Sequence, residues 1–112
     1  MSEVKIIRTI RPGVLEISVE NSLDPINTIF ESVGKFYKNK IDKNTVFQRK
    51  ESYNSWWIHS TNKKSKNCYL GIVNIRFTNK SRYYNLEFYS FQEEPDKLTK
   101  MFKRYFNKKL RC

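Results

Sequence analysis

Residues 45–91 read TVFQRKESYNSWWIHSTNKKSKNCYLGIVNIRFTNKSRYYNLEFYSF, and the fold turns on how this stretch is divided. Four runs rich in aromatic and β-branched residues lie within it, at about 45–50, 55–60, 68–78 and 83–91. Polar connections separate them at 51–54, 61–67 and 79–82. Connections this short join antiparallel neighbours, so the stretch predicts a four-stranded meander.

The flanks add a hairpin and two helices. Residues 4–11 and 14–20 alternate and are rich in β-branched side chains, with Pro12-Gly13 as the turn between them. Leu15, Ile17 and Val19 mark one face of the second strand, and Glu16, Ser18 and Glu20 the other. Asp24-Pro25 then opens a helix, with Asp as N-cap and Pro at the first helical position. Ile26, Ile29, Phe30, Val33 and Phe36 or Tyr37 follow at the helical period. Gly34 weakens this helix without ending it; the polar stretch 38–44 ends it. At the other flank, Glu94-Pro95-Asp96 starts a helix with acids at its positive end and bases at its negative end. Leu98, Met101, Phe102, Tyr105 and Phe106 fall at i, i+3, i+4, i+7 and i+8. Neither an internal repeat nor a second domain is visible. The expectation is one α+β domain over residues 1–112, order ββα-ββββ-α, an antiparallel sheet of five to six strands with both helices on one face.

Composition bounds the rest. Seventeen aromatic rings let a modest core form although apolar residues make up only 38% of the chain. Alanine is absent, while Lys, Asn, Ile, Tyr and Phe, with AT-rich codons, are abundant. In this the composition resembles that of small proteins of AT-rich viruses, including crenarchaeal filamentous viruses. The resemblance covers composition alone, so it implies no activity and no site residue. Cys68 and Cys112 are too few for a disulfide framework, and a reducing compartment is expected. The amino terminus has no apolar signal core, and no stretch approaches the ~20 apolar residues of a membrane span. A soluble, intracellular protein is expected, in the host cytoplasm if the origin is viral.

Charge is unevenly placed. Residues 1–34 hold three basic and five acidic side chains, net −2, whereas residues 35–112 hold nineteen and six, net +13. No acid lies between Glu51 and Glu87. Positive potential concentrated in this way attracts polyanions, most simply DNA or RNA. On the last helix Lys97, Lys100, Arg104, Lys108 and Arg111 are spaced 3, 4, 4 and 3 and share one side, a row able to lie along phosphates. Running back across the sheet, that helix would bring its basic end towards Lys80 and Arg82. Lys63, Lys64 and Lys66 add a third basic group.

A second candidate is the sheet face turned away from the helices. With Tyr69, Val73, Ile75 and Phe77 inward, Leu70, Ile72, Asn74 and Arg76 face out. Trp57, His59, Tyr83, Tyr89 and Phe91 join them. Such a face mixes rings, a guanidinium and apolar groups, and suits either a homodimer contact or stacking of unpaired bases.

Enzymatic signals are thin. His59 is the only histidine; with Cys68 and Cys112 it makes three metal ligands at most, without CxxC spacing, so no metal site is expected. Gly13, Gly34 and Gly71 are isolated, which excludes a phosphate-cradling loop; no cofactor or small-molecule substrate is implied. The sequence favours a non-enzymatic nucleic-acid-binding protein that holds the phosphate backbone through Lys and Arg with little sequence specificity, with a homodimer as one arrangement. The alternatives are a protein-interaction module and a metal-free ribonuclease working through His59 and Tyr83.

Overall fold

Pro12 and Gly13 bend the chain between β1 (Glu3–Arg11) and β2 (Val14–Glu20). Proline presets the first turn position, and Gly13 takes φ 87°, a left-handed value that glycine adopts freely. The position is also crowded, since a Cβ there would lie 2.8 Å from the Pro95 Cβ. The computed structural model describes residues 3–50, 54–61, 69–90 and 94–110, with side chains for 4–50, 54–61, 69–90 and 94–106.

After β2, Asp24 caps α1 (Pro25–Phe36), its Oδ1 accepting the Asn27 N–H at 3.1 Å. Ile29, Val33 and Phe36 form the buried stripe. The winding then widens to a π-helical turn, Tyr37–Ile41, and Asp42 ends it with extended backbone. Phe36 and Tyr37 are both buried, where the helical period left a choice between them. The Tyr37 hydroxyl has no partner among the described residues, and burial pushes its pKa well up.

Four strands follow: β3 (Thr45–Arg49), β4 (Ser55–Ser60), β5 (Tyr69–Phe77) and β6 (Tyr83–Ser90), and then α2 (Pro95–Leu110). The fold is α+β. One antiparallel six-stranded sheet has the order β1-β2-β6-β5-β4-β3, so the hairpin adds to the last strand of the meander. Leu15 stands opposite Leu86 and Ile17 opposite Tyr84 along that join.

Both helices cover one face. α1 lies over the β3–β4 side, where Phe30 stacks on Trp56 at 4.6 Å and meets Phe47 edge-on at 5.2 Å. α2 lies over the β6–β1 side: Phe102 is 5.5 Å from Phe88 and 5.2 Å from Phe36, and the Lys103 ammonium donates to Thr9 Oγ1. Offset and edge-on ring pairs of this kind add about 1 kcal/mol each beyond the area they bury. No helix among the described residues is long and apolar enough to cross a membrane.

Strict alternation fails at one place in β5. Ile58 pairs with Gly71 but His59 pairs with Tyr69, so Leu70 is an extra, bulged residue. The bulge exchanges two expected orientations. Leu70, expected on the open face, is buried in the core at 6% exposure; Tyr69, expected inside, lies outside against Trp57 and His59. From Gly71 onwards the expected alternation holds, although Phe77, expected in the core, stays 71% exposed at the end of the strand.

Two glycines should respond oppositely to a methyl group. A Cβ on Gly71 would collide with the Tyr89 carbonyl oxygen on the neighbouring strand, whereas one on Gly34 meets only Phe47 at an ordinary 3.8 Å. Gly71→Ala should cost about 2 kcal/mol or more, since backbone cannot swing aside. Gly34→Ala should gain roughly 1 kcal/mol of helix propensity. Urea unfolding of the two variants checks both signs.

Candidate nucleic-acid interface

The exposed side of α2 carries Lys97, Lys100 and Arg104, with Leu98 and Phe102 buried on its opposite side. Lys100 reaches Asp96 at 3.0 Å, an exposed i,i+4 pair of small energetic weight. The expected stripe is therefore present as far as the side chains are described; the Lys108 side chain and Arg111 lie outside the described residues.

The end of α2 expected to approach Lys80 and Arg82 lies outside the described side chains, and the described part of the helix meets the chain that follows α1. Asn39, in the π-helical turn after α1, donates through Nδ2 to the Tyr105 hydroxyl at 3.3 Å, and Lys40 shares with Leu98 and Met101 a recess of about 140 Å³. Lys35, Lys38, Lys40 and Lys43 are all exposed around this junction. α1, the π-turn and loop that follow it, and α2 thus carry seven exposed cations, Lys35, Lys38, Lys40, Lys43, Lys97, Lys100 and Arg104. The sequence held the signal for the first four, in a lysine-rich run that reads equally well as a helix stop. Nearby acids have other roles: Asp42 accepts the Ser60 hydroxyl at 2.7 Å and the Asn44 N–H at 2.8 Å, which hold its carboxyl below the usual range.

Lys80 and Arg82 sit in the turn between β5 and β6. The Arg82 carbonyl accepts the Val19 N–H at 3.0 Å, and the Lys80 ammonium lies 5.3 Å above the Tyr83 ring. Thr9, which receives the Lys103 bond, stands opposite Leu15. Four strand residues, about 13 Å, separate Leu15 from Val19. Described contacts of α2 lead to α1, β1 and the Phe88 end of β6, while those of Lys80 and Arg82 lead to β2 and the Tyr83 end of β6. Lys63, Lys64, Lys66, Cys68, Phe91 and Cys112 lie outside the described residues.

The face away from the helices carries Trp57, Ile72, Arg76, Tyr83 and Tyr89 as expected, with Trp57, Ile72 and Tyr89 in one cross-strand row. The bulge removes Leu70 from this face and puts Tyr69 there instead. Much of the charge here is compensated. Glu87, 5% exposed, holds Arg76 at 2.5 Å and Arg11 at 3.5 Å; Glu16 holds Arg8 at 3.2 Å and Glu20 holds Lys5 at 3.8 Å. The hydrogen bond and charge of Glu87, with a lesser contribution from Tyr89, raise the Arg76 pKa further.

His59 and Tyr83 do not meet. His59 is level with Tyr69 at one end of β5, and Tyr83 lies beyond Phe77 at the other, roughly 30 Å apart along the strand. No protein-family model, curated protein or solved structure matches this chain.

Because both arginines around Glu87 are well exposed, they can rehydrate when the carboxylate is lost. Glu87→Gln should lower Tm modestly, and the deficit should shrink in high salt. Thermal melts at two ionic strengths check this; a large, salt-independent loss would show that the pairs act as buried ones.

Proposed function

We propose that this chain is a non-enzymatic nucleic-acid-binding protein that holds the phosphate backbone with little sequence specificity. What carries the proposal is the cationic helical layer, in which Lys38 and Lys40 flank the Asn39 contact to α2 and Lys97, Lys100 and Arg104 continue the surface. Two features of the chain support it. The net charge is +11, and most acids on the opposite face already hold cations of their own. Phosphates lying along the layer would release counterions, which makes affinity fall with salt.

The test is binding of random-sequence single- and double-stranded DNA and RNA across a salt series. Affinity should fall steeply, by roughly 0.9 in log–log slope per phosphate neutralised on duplex DNA and about 0.7 on single strands. Joint reversal of Lys38, Lys40, Lys97 and Arg104 to Glu should abolish most binding at low salt and flatten that slope. Reversal of Lys5 and Arg8, which face acids, should change it little. Lys80→Glu with Arg82→Glu forms a separate arm, and a loss confined to that arm would move the interface to the 79–82 turn. Absence of salt-dependent binding by the unaltered protein would overturn the proposal, and a stoichiometric acidic protein partner would replace it.

A further inference from the structure

On the sheet face that no helix covers, Gln48, Arg49, Lys50, Trp57, His59 and Tyr69 line an open groove of about 450 Å³. Resting on the nucleic-acid reading, we infer that this groove takes an unpaired base of single-stranded nucleic acid, with the adjoining phosphate held by Lys50; Arg49 lines it only from the edge strand, its guanidinium lying over Trp56 on the other face. The groove exists because of the Leu70 bulge, which turns Tyr69 outward. Its ring lies 4.7 Å from His59 and 5.9 Å from Trp57, the latter edge-on at 70°. Three rings from two strands therefore converge where strict alternation would have placed Leu70. Tyr69 remains 48% exposed.

The chemistry of the rim selects the occupant. The six lining residues include no acid, and the Lys50 ammonium sits 4.8 Å over the Trp57 ring. That contact is a flexible cation–π cover; a base displacing it stacks on the indole and leaves the ammonium beside its own phosphate. The Gln48 carboxamide offers both a donor and an acceptor for a base edge. The pocket size is in the range of small-ligand sites, which suits one nucleotide rather than a helix of nucleic acid. A second copy of this chain, at net charge +11, is a poor occupant, because it would bring more positive charge against Lys50.

Position links the groove to the helical layer. β3 is an edge strand, and it follows Lys43 almost directly. A strand leaving the groove across this edge meets Lys43, Lys40 and Lys38 on the other side, so one chain of nucleotides contacts both surfaces. A duplex keeps its bases stacked inside and gains nothing from Trp57 or Tyr69. The consequence is a preference for single strands that charge alone does not produce.

Anisotropy titrations with labelled oligo-dT, oligo-rU and a duplex of equal length test this. The unaltered protein should favour both single strands over the duplex. Trp57→Ala and Tyr69→Ala should each weaken single-strand binding by about tenfold, with duplex affinity held within a factor of about two. Their salt slopes should stay unchanged, because no phosphate contact is lost, and Trp57→Phe should keep most of the affinity. Circular dichroism confirms that each variant is folded, and half-exposed Tyr69 carries the test if Trp57→Ala is not. Unchanged single-strand affinity in both variants, or equal losses on strand and duplex, overturns the groove while leaving the phosphate-binding layer standing. Failure of the unaltered protein to bind any oligonucleotide overturns both.

Discussion

The pairing of β2 with β6 is the constraint on which the rest depends. Leu15, Ile17 and Leu86 along this seam are fully buried. Without it, β1 and β2 would form a two-stranded ribbon, marginal by itself in water, and β6 would end the sheet with its apolar face half covered. The seam also sets where α2 begins. Phe88 donates its N–H to the Gly13 carbonyl at 2.7 Å, and Gly13 is the residue against which Pro95 packs. A turn glycine near the amino terminus thus fixes the entry of the last helix. The loop closure spanned is long, roughly seventy residues, and its entropic cost is repaid only by apolar burial on both strands.

From that entry point the direction of α2 follows from its rings. Phe102 docks between Phe36 and Phe88, and Tyr105 reaches both Phe36 and Asn39. These contacts hold the helix against the end of α1. Its described basic side consequently lies in the same helical layer as the lysines that follow α1. Aromatic packing in the core decides which cations become neighbours on the surface.

This also explains what was legible beforehand. Local periodicity suffices for strands and helices, so the hairpin, the meander and both helices, with their Asp24-Pro25 and Pro95 starts, were readable within a residue or two. The helical stripe of Lys97, Lys100 and Arg104 was readable for the same reason. A bulge is invisible to a count of two: inserting Leu70 reverses every orientation before it, and the only local sign was Gly71 beside it. The α1–α2 junction was hidden for a different reason. It depends on a ring contact between residues 36 and 102, and no property of either segment alone specifies it. The lysines at 35–43 also satisfy a simpler role, as cations at a helix end, where the backbone carbonyls favour them.

The asymmetry of charge along the chain becomes an asymmetry in space by a specific route. The acids of the first strands are spent locally: Glu16 and Glu20 pair with bases of β1, and Asp24 caps a helix. Glu87 comes from the late, basic part of the chain, yet it too is consumed on the open face, by Arg11 and Arg76. On the helical layer an ion pair joins Lys100 to Asp96, while Asp42 is held by Ser60 and Asn44. The layer's seven cations comprise six lysines and one arginine. Lysine is a mobile point charge that follows a phosphate without demanding geometry, whereas reading a guanine edge calls for the planar fork of arginine. A lysine-dominated layer therefore suits backbone contact, and any discrimination between nucleic acids has to come from elsewhere on the molecule. The ring-lined groove beside β3 is placed to supply it, through stacking that tells unpaired bases from paired ones without reading their order.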